Sequence, residues 1–168
     1  MPNYIRIINR PRWPVDVTKD VDIKKLSAST ITMELRTIDN DLSLWAVEDK
    51  DDAVLAMVTN AEKFQAMWTL RISEDIMRKN KLEIKNDVSN KTNVKGIGEF
   101  HYNIKNLTYQ SLADVAKAII EALKKEDENL KNYSKEEVQK VLENAIKKGK
   151  VDPKKLKSAM KERLKITL

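Results

Sequence analysis

The sequence predicts an α/β fold, with α+β as the alternative: a small mixed sheet containing a βαβ unit, followed by a C-terminal basic helical hairpin. Three observations carry this reading. Two runs that alternate in polarity, Leu42 to Val47 and Ala66 to Ile72, flank a segment with helical spacing, the length of a right-handed βαβ unit with a parallel strand pair. Leu112, Val115, Ala116, Ile119, Ile120 and Leu123 form one helical stripe that needs a sheet to cover it. Ser134 and Glu137 spell a capping box before Val138, and Gly149 followed by Asp152-Pro153 ends one helix and opens another.

Taken in order, Tyr4, Ile5, Ile7 and Ile8 make a β-prone run, stopped at Arg10-Pro11-Arg12-Trp13-Pro14 because two prolines forbid regular pairing. Ile31, Leu35 and Ile38 recur at helical spacing after Ser27 and Ser29, either of which can cap. Asp39-Asn40-Asp41 is a turn triplet. Both faces of Leu42 to Val47 are partly apolar, which fits a strand covered on both sides, so Trp45 and Trp68 read as scaffold. Asp49, Asp51 and Asp52 supply negative charge at the start of the helix that carries Ala53, Val54, Met57, Val58 and Ala61. Ser73 caps a short helix through Met77 to Lys79, and Asn86 to Gly98 reads as a long polar loop. Phe100, Tyr102 and Ile104 alternate as a last strand before Thr108 caps the long helix. Glu126 to Asn129 interrupts the apolar stripe, and the hairpin follows as Lys135 to Lys148 and Pro153 to Lys165. Residues 1–125 thus read as a small α/β domain and 133–168 as the hairpin, which either stands apart, leaving a remainder that folds alone, or packs on the same core.

Composition excludes several chemistries. The 168 residues hold no Cys, one His and three Gly, so thiol nucleophiles, Cys zinc sites, His-pair metal sites, Gly-x-Gly-x-x-Gly and Walker A cradles are all absent. No apolar run approaches the ~20 residues of a membrane span, and the first residues lack an export signal; a cytoplasmic chain without membrane contact is expected. Of 32 basic and 26 acidic residues, 14 and 8 fall between Lys124 and Lys165, so the net charge of +6 sits entirely in that quarter. Lys-, Ile- and Asn-rich usage resembles that of bacterial or phage chains of low genomic GC content.

The candidate sites follow from these patterns. Arg10, Arg12 and Trp13 form a Pro-stiffened loop of residue types enriched at binding hot spots. Asp39, Asp41, Glu48, Asp49, Asp51 and Asp52 form an acidic patch suited to steering a basic partner protein. Lys147, Lys148, Lys150, Lys154, Lys155, Lys157, Lys161 and Arg163 crowd the hairpin and could neutralise phosphates, although few Arg, Asn or Gln are at hand to read bases. His101, between Phe100 and Tyr102, reads as a hydrogen-bonded strand residue. The leading expectation is a non-enzymatic protein-binding module of the immunity, antitoxin or accessory-regulator kind, without cofactor. Nucleic-acid association through the hairpin is the alternative, and a Mg²⁺-dependent enzyme at the acidic cluster the third reading.

Overall fold

A computed structural model of the chain describes residues 3–14, 16, 22–35, 37, 39–88 and 92–165. Its strands are β1 (Asn3–Ile8), β2 (Leu42–Trp45), β3 (Met67–Ser73), β4 (Ile84–Asn86), β5 (His101–Ile104) and β6 (Leu130–Tyr133). They form one sheet in the order β4-β5-β2-β1-β3-β6, and every pairing in it is antiparallel. The helices are α1 (Ala28–Glu34), α2 (Lys50–Val58), α3 (Glu74–Lys79), α4 (Tyr109–Leu123), α5 (Glu126–Asn129), α6 (Lys135–Lys147) and α7 (Ser158–Arg163).

The α/β class and the strand–helix–strand unit are present, but the parallel pair expected within that unit is corrected. β1 lies between β2 and β3 and runs antiparallel to both, with Ile5 opposite Trp45 and Arg71, so α2 joins two like-directed strands that never touch. The physical reason lies in β1 itself. Tyr4 and Ile8 point to one face and Ile5 to the other, all of them buried, and a strand apolar on both faces must be central.

Each face of the sheet carries its own apolar layer. On one, Tyr4, Leu44, Leu70 and Ile72 meet the α4 stripe, Met77 of α3 and Leu35 beyond α1. On the other, Ile5, Trp45 and Met67 meet α2, α6 and α7. Because α2 lies between the sheet and α6, Ala53, Val54, Leu55, Ala56 and Val58 are all buried, whereas Met57 of the expected stripe is exposed. The hairpin's Val138, Leu142, Ala145, Val151, Leu156 and Met160 belong to this same second core.

The capping signals are realised. Ser73 accepts from the Ile76 N–H, and the Ser134 hydroxyl and Glu137 carboxylate accept from each other's backbone N–H at 3.1 and 2.7 Å. Gly149, at φ +67°, closes α6 with the Lys150 N–H on the Ala145 carbonyl and its own N–H on Ile146, a Schellman motif that needs a left-handed residue. The helix expected from Pro153 is corrected. Asp152 caps only a single 3₁₀ turn, after which Leu156 turns extended (φ −71°, ψ 151°) to place its side chain in the core, and α7 begins at Ser158. The apolar stripe does end before Glu126, where the short helix α5 forms, and α5 leads into β6, a polar strand at the sheet edge that no pattern in the sequence announced; its Lys131 and Asn132 lie exposed, as edge strands that resist pairing usually do.

Tyr133 of β6 is 2% exposed and donates its phenol proton to Asp51 Oδ1 at 2.6 Å. Burial first, then that hydrogen bond, push its ionisation well above the ordinary tyrosine range; burial and Glu74 do the same to Tyr4. A raised folded pKa means that the stabilisation is complete below the unfolded value, about 10, and is lost as pH rises past it, by up to about 1.4 kcal/mol per pH unit for each group. Thermal melts from about pH 9.5 upward should show this loss, and Tyr133→Phe should have a shallower alkaline slope. Equal slopes for the two proteins would refute it.

Candidate functional site

At the end of the sheet where β1 begins and β2 and β3 finish, a cleft of about 770 Å³ opens on the second face. Three structural features shape it. The β2–α2 connection brings Glu48 and Asp49 to one lip, and Asp49 also caps α2 by accepting from the Asp51 N–H at 2.9 Å. The floor includes Arg71 of β3, whose Nη2 donates to the Glu48 carbonyl at 3.3 Å while its buried Nε has no acceptor. The opposite lip is the loop around Lys95 and Gly96 (φ +73°), fastened to the hairpin turn by the Lys95 N–H on the Lys150 carbonyl and by the Val94–Val151 bridge. Val47, Ile97 and Phe100 give the cleft an apolar wall, and Phe100 is 46% exposed at its rim.

The acidic run is divided by the fold. Glu48, Asp49 and Asp52 line the cleft, with Asp52 ion-paired to Lys150. Asp51 turns away to Tyr133 and Lys131, the latter at 3.1 Å. Asp39 and Asp41 lie at the other end of β2, where Asp41 pairs with Lys105 and Asp39 occupies a left-handed turn, so the single acidic patch expected from the sequence is corrected to two separate groups. Among the described residues no group of three or more His, Cys, Asp or Glu side chains is arranged to hold a metal ion.

The Arg10–Pro14 loop faces inward. Arg10 binds the Glu126 carboxylate and the carbonyls of Trp13 and Pro14 at 3.1 and 3.0 Å, Arg12 lies 3.7 Å from Glu34, and Trp13 is 2% exposed within the first core. The expectation of an exposed tryptophan anchor is corrected: the ring is core, held there by a loop whose prolines fix its turn. His101 is 8% exposed, with Nδ1 2.7 Å from the Asp87 carbonyl and its ring 4.8 Å from that of Trp45.

Of the hairpin cations, Lys150 pairs with Asp52, Lys157 lies 3.3 Å from Glu62, and Arg163 donates to the Glu62 carbonyl at 3.2 Å. Lys161 is half-buried. Lys147, Lys148, Lys154 and Lys155 are exposed and have no side-chain partner among the described residues.

Compared with protein-family models, curated proteins and solved structures, the chain matches none. No helix among the described residues is long and apolar enough to cross a membrane. Sequence reasoning missed Arg71, Lys95 and Phe100. One signal existed: Arg71 lies between Leu70 and Ile72 on a strand otherwise free of charge, and a charged residue there must either be paired or face an opening. Phe100 was hidden because alternation groups it with Tyr102 and Ile104, whereas it ends a 3₁₀ turn just before β5.

Proposed function

We propose that this chain is a non-enzymatic, cytoplasmic protein-binding module of the immunity, antitoxin or accessory-regulator kind, and that its partner docks at the cleft beside α2. The observation that carries the reading is the meeting of Glu48 and Asp49 on one lip with Arg71 and Lys95 on floor and opposite lip, around an apolar wall ending in the exposed Phe100 ring. Protein interfaces use an apolar centre for affinity and charges of both signs for orientation and register. Arg10, Arg12 and Trp13 leave the partner-binding set because their side chains are engaged within the chain.

A photocrosslinking residue placed at position 100 tests this directly. In nuclease-treated extract of the source cell it should give one discrete protein adduct, lost when Glu48→Lys is added. Absence of any protein adduct would overturn the reading.

A second reading is favoured by one observation, the exposed Lys147, Lys148, Lys154 and Lys155, which have no side-chain partner among the described residues and are available for phosphates. Duplex DNA binding at about 150 mM salt that falls tenfold or more with Lys154→Gln and Lys155→Gln together would promote it. We expect no such binding, because Asp52 neutralises Lys150 and Glu62 neutralises Lys157 within the same surface.

A further inference from the structure

Within the cleft three carboxylates, Glu48, Asp49 and Asp52, share the lining with three cations, Arg71, Lys95 and Lys150, and one ion pair, Asp52 with Lys150, joins them. Asp49 has a backbone partner and Asp52 has Lys150. Arg71 has none of this kind. Its guanidinium reaches only the Glu48 carbonyl, at the long distance of 3.3 Å, its buried Nε is orphaned, and no carboxylate among the described residues pairs with it. Lys95, across the opening, is exposed and likewise has no side-chain partner among the described residues. A guanidinium that no carboxylate among the described residues pairs with, in a partly closed cleft, favours an anion beside it, and its planar fork of donors suits a carboxylate.

Resting on the protein-binding reading above, we infer that Arg71 and Lys95 form a receptor for one acidic side chain of the partner, seated next to an apolar residue that covers the exposed Phe100 ring. Charge complementarity decides the occupant. A carboxylate carries a single charge and matches the guanidinium fork, whereas a phosphate group, or a nucleic-acid backbone with many, would bring further negative charge against Glu48 and Asp49 on the facing lip. Those two lip carboxylates then receive a basic residue of the same partner segment, which fixes its direction through the cleft.

The test uses the full chain, uniformly labelled with ¹⁵N, titrated with three capped dipeptides: N-acetyl-Phe-Glu amide, its Gln counterpart and its phosphoserine counterpart. The Glu probe should shift the amides of Val47 to Asp49 and Lys95 to Ile97, and should bind about threefold or more tightly than the Gln probe, the scale of a partly exposed ion pair. Arg71→Gln should erase that preference while keeping a dispersed spectrum. Should that variant not fold, Lys95→Gln on the exposed loop decides, and it should reduce the preference. Equal affinity for the Glu and Gln probes, no shift at the cleft, or tighter binding of the phosphoserine probe would each overturn the inference. The two levels fail separately: an adduct from position 100 that persists while the probes show no carboxylate preference sinks the receptor and leaves the protein-binding reading standing.

Discussion

Deleting residues 133–168 should leave a chain without a cooperative unfolding transition that binds hydrophobic dyes. The deletion removes Tyr133, Val138, Leu142, Ala145, Val151, Leu156 and Met160, all buried, and strips the cover from the outer side of α2 and the strand partner from Met67. At about 1.5–3 kcal/mol for each fully buried large apolar side chain, the loss is on the order of 10 kcal/mol or more, comparable with the whole stability of a domain. The sequence suggested a milder outcome, a remainder that folds alone, on the ground that the α4 stripe covers the sheet. It does cover the sheet, on one face; α2 covers the other, and the hairpin buries the outer side of α2. A soluble monomeric fragment with a sharp thermal transition would mean that the second layer contributes little and that the hairpin is an appendage.

What was readable in the chain was local and periodic. The α4 stripe, the Ser134 capping box, the Ser73 cap, the doubly apolar β2 and the alternating β3 all rest on spacings of a few residues, and each appears where its pattern predicts it. Pairing was not readable, because it joins residues far apart: β1 meets β3 across 60 to 70 positions, from Ile8 with Trp68 to Asn3 with Ser73, and no local pattern states that it separates β2 from β3. β6 was invisible for a different reason. Its Leu-Lys-Asn-Tyr sequence is that of an edge strand, selected for polarity and for not recruiting other strands, and so it resembles a loop.

The candidate site divides along the same line. Glu48, Asp49 and Asp52 could be found because like charges cluster in sequence at the start of α2, where the helix dipole favours them. Their separation from Asp39 and Asp41 follows from strand direction, since β2 carries the chain from one end of the sheet to the other. Arg71 and Lys95 reach the cleft from β3 and from a loop tied to the hairpin turn, and only the tertiary fold joins these to the acidic lip. Composition therefore pointed to charge of both signs, while the meeting of the signs around one opening depends on the topology.

Trp13→Ala should be among the most destabilising single substitutions in the chain, costing about 3–5 kcal/mol, which for a domain of this size lowers Tm by roughly 10 °C or more. The ring is 2% exposed and belongs to the first core, at the edge where the Arg10–Pro14 loop crosses. Thr30 holds that loop by donating its hydroxyl proton to the Arg12 carbonyl at 2.8 Å, and Arg10 holds it through Glu126, so the backbone cannot readily collapse into the space that alanine leaves. The indole Nε1 is buried with no acceptor, a donor whose desolvation is uncompensated. Trp13→Phe should therefore cost much less, about 1–2 kcal/mol, because removing the orphaned N–H offsets part of the lost apolar contact. Chemical denaturation of the three proteins, with unchanged slopes, measures both differences. If Trp13→Ala instead melts like the wild type and loses the adduct from position 100, the tryptophan acts at the interface rather than in the core, and the loop regains its place among the partner-binding residues.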